Sequence, residues 1–434
     1  MTHLIKPVAV ALKGKGLGTL ARRVGSISQR YGLTAAKMDR ALGQLAQILK
    51  RFDCRATLPI TTVALARNSS VIQKYQAQGI EFAVHGYRHI DHSQLSLAEQ
   101  TEHFRQAVEV FQQHQIHSNG FRCPYLRWNE ATLTALNQTH FAYDSSPSLY
   151  WAMPERQTTD SYYRALSFYG AQSLADYPAV PSLDPEQHLV RIPYCLPDDE
   201  SLVERLQWQR PTDMPQVWPA MFQHMHAQGE LFNLGLHPER TAECAPALVA
   251  TIESMRPVQT QVWRARLDEI AAWWRERTAA TVEASNGQDD LWQLSVKGPA
   301  GTTLLLRALE IKTESEPWFD HYYRASDVAS CAIQTRRRPF IGISPGSTPE
   351  LGSFLKQHGY IVETSAAAAA YSFYLDRRTF SRQDERPLLN QIEMGNFPLA
   401  RLGRWPYGAR SALCITGDID ALTVWDYSLR FLGH

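Results

Sequence analysis

Short apolar runs alternate with helical patterns through the first 280 residues, and this alternation is what most constrains the fold. The strand-like runs are Ala56–Val63, Ile80–Val84, Gly120–Pro124, Phe141–Ser145, Leu189–Tyr194 and Leu231–Leu236. Between them, Met38–Leu49, Ser70–Gln78, Ser96–Gln113, Glu130–Asn137, Pro215–Gln228 and Ala245–Met255 carry helical spacing. A longer helix is expected over Val262–Arg277. Parallel strands need a crossover that returns the chain to the same end of the sheet, and a helix usually supplies it. The pattern therefore predicts a parallel sheet, open or closed into a barrel.

The character changes at Asn286-Gly287-Gln288-Asp289-Asp290, a turn-rich break. Residues 291–375 alternate with less helix (Leu291–Val296, Thr302–Leu306, Phe340–Ile343, Tyr371–Leu375), which predicts a smaller β-rich domain. After a polar linker, Arg377–Glu385, comes one more apolar strand, Ser411–Thr416. It ends in Gly417-Asp418-Ile419-Asp420 and is followed by a short helix near Trp425–Leu432. A length of 434 residues suits two or three domains. The expected boundaries are 1–280, 281–400 and 401–434.

Charge narrows the function classes. Lys+Arg total 44 and Asp+Glu 43, a net charge of +1, so no general basic excess for nucleic acid is present. No apolar run approaches the ~20 residues that span a bilayer. The apolar stretch Val8–Leu12 is cut short by Lys13 and Lys15, unlike a signal peptide. Six cysteines are scattered with no C-x-x-C pair, which fits neither a disulfide framework nor a thiolate metal cluster. A reducing, cytoplasmic environment is expected. Residues 1–38 contain no acid and carry Lys6, Lys13, Lys15, Arg22, Arg23, Arg30 and Lys37. A solvated basic arm with one edge strand is the expected reading, with a transit peptide or an anionic-surface contact as alternatives.

Four strand-end groups could carry chemistry. In His85-Gly86-Tyr87-Arg88-His89, two imidazoles four apart can reach one ion. Two surface histidines would give the same spacing. In Asp418-Ile419-Asp420, alternate residues of an extended chain share a face. Two such carboxylates repel unless a cation neutralises them, and a turn or cap is the bland alternative. In Gly120-Phe121-Arg122-Cys123-Pro124-Tyr125, Arg122 can orient a carboxylate, and the Tyr125 amide after a rigid Pro can face an oxyanion. His237 in Leu236-His237-Pro238 suits a general acid, although a lone histidine is more often structural. His224 with His226, His114 with His117, and Asp198-Asp199 are expected to be structural or solvated, the acidic pair as a helix cap. Trp273 and Trp274 are expected to pack between the last helix and the β-rich part.

Taken in order, His85-x-x-x-His89, Arg122-Cys-Pro-Tyr125, Arg191-Ile-Pro-Tyr-Cys-Leu-Pro-Asp-Asp199 and Leu236-His237-Pro238 resemble the polysaccharide deacetylase family (NodB-like, carbohydrate esterase family four). The stretch Phe121–Ser146 is especially similar, and the resemblance covers about residues 35–275 and 405–430. It implies an α/β fold, a distorted (β/α)7-type barrel. That family carries its Asp motif on the first strand, whereas here no acid precedes Asp39. The best match is Thr416-Gly417-Asp418-Ile419-Asp420, which implies a circular permutation. The β-rich domain is then inserted before the last barrel strand, which completes the barrel beside Ala56–Val63.

The resemblance also implies roles. Asp420, His85 and His89 would be metal ligands, with zinc expected and cobalt, nickel or iron also fitting. Asp418 would be the base for an ion-activated water, with Arg122 holding it. The Tyr125 amide would stabilise the oxyanion, and His237 would protonate the leaving amine. The expected partner is a carbohydrate or another N-acylated small substrate. No nucleic-acid partner and no membrane span are expected, and a homo-oligomer is left open. The leading expectation is a hydrolase that removes an N-acetyl or other N-acyl group from an amino sugar. Two competitors remain: an amidohydrolase acting on a ureide, imide or formamide, and an inactive carbohydrate-binding relative.

Overall fold

The computed structural model describes residues 30–183, 189–206 and 216–432. Residues 1–29 of the expected basic arm lie outside the described residues; beyond them Arg30 is not solvated but ion-paired with Glu204 at 3.2 Å and Glu239 at 2.5 Å, and a helix begins at Ala36. Seven strand runs form a ring: Ser411–Thr416, Ala56–Ile60, Glu81–Val84, Gly120–Phe121, the bent run 143–150, the run 190–196 and Leu231–Gly235, which returns to Ser411–Thr416. All these neighbours pair in parallel. The bent run closes the ring. Its first half, Tyr143–Asp144, lies beside Gly120–Phe121 and Val190–Arg191, and its second half, Ser148–Tyr150, lies beside Tyr194–Leu196. This is the parallel sheet expected from the alternation, closed into the distorted (β/α)7-type barrel that the resemblance implies.

Every residue of Ala56–Ile60, Glu81–Val84, Leu231–Gly235 and Ser411–Thr416 is buried. Parallel strands covered on both faces read as continuous apolar runs, which is why the sequence exposes them clearly. Outside the ring, the helix Ala36–Arg51 buries Met38, Leu42, Leu45 and Leu49, one stripe at helical spacing. It packs against the helix Thr241–Ser254. Truncating Leu42 or Leu45, both fully buried, to alanine would cost about 2–5 kcal/mol.

Two expected elements end elsewhere. The first strand stops at Ile60, because Thr61 turns the chain into the helix Thr62–Arg67. The helix expected over Val262–Arg277 begins only at Leu267, where the Glu269 carboxylate reaches back to accept from the Arg266 amide at 2.9 Å. Its first residues, Val262–Arg264, instead pair as a strand with Ser411–Leu413. Branched and aromatic residues at 262 and 263 favour that extended edge.

Residues 281–402 add three smaller sheets. Two are antiparallel: Thr281–Asn286, Leu291–Lys297, Cys331–Gln334 and Glu310–Ile311 form one, and Ser315–Pro317, Tyr322–Ala325, Leu304–Arg307 and Leu399–Leu402 the other. The third is parallel, with Arg338–Ile343 between Val362–Thr364 and Tyr371–Leu375. Helices Pro349–Gln357 and Glu385–Glu393 accompany it, and the alternation of 291–375 gives no sign of them. The expected linker Arg377–Glu385 runs straight into the second helix. Against the barrel, Trp273 Nε1 donates to the Arg404 carbonyl at 2.9 Å and Trp274 lies 5.7 Å from Trp405, ring to ring. Among the described residues no helix is long and apolar enough to cross a membrane.

At the amino-terminal ends of the strands sits a buried carboxyl, Glu81. Its Oε2 is 2.5 Å from Thr57 Oγ1, its Oε1 accepts from the Tyr143 hydroxyl at 2.7 Å, and the Asp268 amide donates to Oε2 at 3.1 Å. Burial, with Asp268 nearby, pushes its pKa up to about 8.

Candidate active site

The chain ends of four barrel strands converge at the opposite, carboxy-terminal mouth. After Thr416 the chain stays extended beside the first strand: Ile419 bridges Ile60, and its amide donates to the Pro59 carbonyl at 2.7 Å. Ile419 is fully buried, so Asp418 and Asp420 on either side of it point to the mouth. Gly417 permits this path, since a Cβ there would lie 1.7 Å from the Leu236 carbonyl oxygen. Thr61 Oγ1 donates to the Asp420 carbonyl at 3.0 Å and fixes the end of the run.

Asp420 Oδ1 lies 3.5 Å from His85 Nε2 and 3.3 Å from His89 Nε2. Two ligands about 2.1 Å from one ion at a tetrahedral angle are about 3.4 Å apart, so this spacing fits a zinc-sized ion. The donor chemistry fits as well. His85 Nδ1 is 3.0 Å from the Arg122 carbonyl oxygen. A carbonyl only accepts, so Nδ1 carries a proton and Nε2 is the ring atom that faces the carboxylates. The His89 ring stands edge-on to Tyr125 at 4.4 Å. His85, His89 and Asp420 could therefore hold a divalent cation.

Asp418 lies beside this trio, its Oδ2 3.6 Å from His85 Nε2. Its Oδ1 accepts from Arg122 Nη1 at 2.8 Å. Arg122 is fully buried, and its Nε and Nη2 donate to the backbone oxygen and hydroxyl of Ser145 at 3.1 and 3.0 Å. Burial opposes its charge, but Asp418 and the surrounding groups outweigh that and raise its pKa. Tyr125 occupies a tight turn, Pro124–Leu126, with φ at +61°. A left-handed backbone is uncommon for a residue with a side chain, and such positions gather at functional sites.

His237 follows the Leu231–Gly235 strand on the other side of the mouth. Its backbone N–H and its Nδ1–H both donate to Asp199 Oδ1, at 3.1 and 2.8 Å. Burial alone would discharge the ring, but Asp199 outweighs it and raises the pKa well above the usual imidazole value. The ring therefore carries a proton at neutral pH, with Nε2 as the atom that can deliver it. Arg240 Nε reaches Asp199 Oδ2 at 3.3 Å and holds the carboxylate from behind. Asp198, Asp199 and His237 cluster closely enough to suggest a second ion site. Their atoms are already engaged, however: Asp198 accepts from the Ser201 amide and the Tyr194 hydroxyl, Asp199 Oδ1 accepts from His237, and Asp199 Oδ2 is ion-paired with Arg240.

The structure thus brings together all seven residues singled out in the sequence at one mouth: His85, His89, Asp418 and Asp420 in one cluster, Arg122 beside Asp418, Tyr125 against His89, and His237 across from them. It adds Asp199, which the sequence pattern reads as a helix cap. Asp198 does cap the following Ser201 amide, but its neighbour turns to His237. Among the described residues the other histidines stay outside. His114 ends the helix Leu97–Gln113, and His226 bonds Ser411 Oγ at 2.8 Å. His92, close below the imidazole pair, packs against Phe104 and Phe121. Burial and then His103 lower its pKa to about 3, so it stays neutral.

The sequence model of the polysaccharide deacetylase family matches residues 37–143. No curated protein matches the chain. Among solved structures, the chain is similar to a protein assigned as a polysaccharide deacetylase from Mycobacterium smegmatis, with 21% identity over 59% of this chain and 82% of that one and a TM-score of 0.43. It is similar to another so assigned from Pseudomonas aeruginosa PAO1, with 23% identity over 54% and 73% and a TM-score of 0.43. A third is Puue allantoinase, with 21% identity over 54% and 72% and a TM-score of 0.42. The segment 37–143, which carries His85, His89, Arg122 and Tyr125, is thus similar to the polysaccharide deacetylase family.

Proposed function

We propose that this protein is a metal-dependent N-deacetylase that hydrolyses the acetamido group of an amino sugar in a carbohydrate substrate, with zinc at His85, His89 and Asp420. The observation that carries the reading is the 3.3 and 3.5 Å spacing of the Asp420 carboxylate from the two imidazoles. When bound there, the ion supplies Lewis acidity to the amide carbonyl and makes water a stronger acid.

The chain's own residues account for the proton traffic. Asp418, held by Arg122, takes a proton from the attacking water. The Tyr125 amide donates to the oxygen on which negative charge develops. His237 gives its Nε2 proton to the leaving nitrogen while Nδ1–H stays on Asp199. Water adds to the carbonyl carbon, the C–N bond breaks, and acetate and a free amine leave.

The order of the chain fits a circular permutation, in which the strand that carries the Asp motif comes last and pairs between Leu231–Gly235 and Ala56–Ile60. The divisions 1–280, 281–400 and 401–434 belong to the same proposal. Six unpaired, buried cysteines fit a reducing, cytoplasmic location.

The test is acetate release from N-acetylglucosamine oligosaccharides by the zinc-loaded protein, with metal content measured in parallel. His85→Ala is expected to lose both metal and turnover. Full metal content in that variant would overturn the ligand assignment. Turnover of ureides with none of acetamido sugars would move the substrate class.

A further inference from the structure

Tyr194 stands between the two halves of the mouth. It is fully enclosed, and its ring face lies under the Arg122 guanidinium, 4.6 Å from centroid to Cζ. Its hydroxyl donates to Asp198 Oδ2 at 2.9 Å. Space for that hydroxyl exists because Gly235 has no side chain: a Cβ there would lie 1.9 Å from it. Arg122 leads to Asp418 at 2.8 Å, and the residue after Asp198 holds His237 at 2.8 Å. One ring thus touches both the arm that ends in the proposed base and the arm that ends in the proposed acid.

We propose that Tyr194 is a positioning residue that sets the base arm against the acid arm, through its ring face on Arg122 and its hydroxyl on Asp198. The kinetic part of this inference rests on the deacetylase reading. The physical argument is geometric. The hydrogen bonds from Arg122 to Asp418 and Ser145 lie in the guanidinium plane and leave rotation out of that plane to be restrained by what covers it. An aromatic face attracts a desolvated cation and supplies that cover. Asn233 Nδ2 donates to Ser145 Oγ at 3.2 Å and to the Pro193 carbonyl at 3.0 Å, which ties Ser145 to the backbone just before Tyr194.

The test separates the two contacts in the full-length, zinc-loaded protein. Tyr194→Phe keeps the ring and removes the hydroxyl. Fluorinated phenylalanines at 194 then weaken the ring's hold on a cation at nearly constant shape. With N-acetylglucosamine oligosaccharide, kcat is expected to fall about threefold in Tyr194→Phe and about another threefold to tenfold across the fluorinated series, with KM and zinc content unchanged. A second readout needs no turnover. In protein carrying 15N-arginine, the Nη protons of Arg122, assigned by their loss in Arg122→Lys, are expected to give separate signals that merge as fluorine is added. If the wild type turns over and kcat is flat across the series, the proposal is overturned. If the Nη signals do not respond to fluorine, it is also overturned. If the wild type releases no acetate, the deacetylase reading fails, and the arginine signals alone decide whether Tyr194 holds Arg122.

Discussion

The two ends of the barrel bury acidic groups by opposite means. At the floor, Glu81 is surrounded by Thr57, Tyr143 and the Asp268 amide, with no cation among these partners. Burial dominates, and the carboxyl keeps its proton near neutral pH. At the mouth, Asp418 faces Arg122, and Asp199 faces His237 and Arg240. These two acids each have a counter-charge, and His237 is held in its charged form. Equal burial therefore does not mean equal chemistry. A buried acid without a cation becomes a neutral hydrogen-bonding strut, whereas one with a cation stores charge that a reaction can use.

The sharpest way to break this contrast is to remove a donor from the mouth. Asp420→Ala leaves two imidazoles for the ion, and we expect metal content to collapse and acetate release to fall by about a thousandfold or more. Mass-spectrometric metal analysis beside a rate measurement checks both. Next in size is Asp199→Asn. Without the carboxylate, burial of His237 is opposed only by the weaker pull of Glu239 and Asp418, so its pKa falls and the proton needed by the amine is lost at lower pH. The alkaline limb of the kcat profile should move to lower pH, and kcat should drop about a hundredfold. An unshifted limb would show that Asp199 does not hold the acid.

The floor should respond in stability rather than rate. Glu81 in the folded chain titrates near 8, above its unfolded value. The unfolded chain therefore releases that proton first as pH rises, and wild-type stability should decline between about pH 5 and 8 by on the order of a few kcal/mol. Glu81→Gln should flatten that decline and leave turnover unchanged, as urea unfolding at several pH values can show. The smallest effect belongs to Thr57→Val. Thr57 Oγ1 contacts Glu81 and accepts the Leu267 amide at 2.8 Å, so its loss should cost about 1–3 kcal/mol with zinc content intact.

The two ends also differ in how readable they were. The mouth's ligands stand at the ends of continuous apolar strands, and strand ends are where local pattern is strongest. The pairing of Asp418 and Asp420 with histidines far upstream came from resemblance, since no local periodicity reaches that far. Asp199 was misjudged for the same reason. Two acids after Pro197 look like a helix start, and Asp198 does serve that end, but the contact to His237 spans 38 positions. Tyr194 and Glu81 are single residues inside buried strands, where sequence shows only an apolar run. The short strand Val262–Arg264 went unseen because its partner is the last barrel strand, not a neighbour in sequence.

Thr416 Oγ1 donates to the Thr57 carbonyl across 359 positions of chain. At about 5–20 residues per second, a ribosome needs roughly 20–70 s between making one and making the other. Throughout that interval the strand at 56–60 has one open edge, the template that foreign strands recognise. Any product that stops short of 411 carries the imidazoles without the acids. Under the proposed reading, such copies would lack the acids of the site and leave that strand edge uncovered.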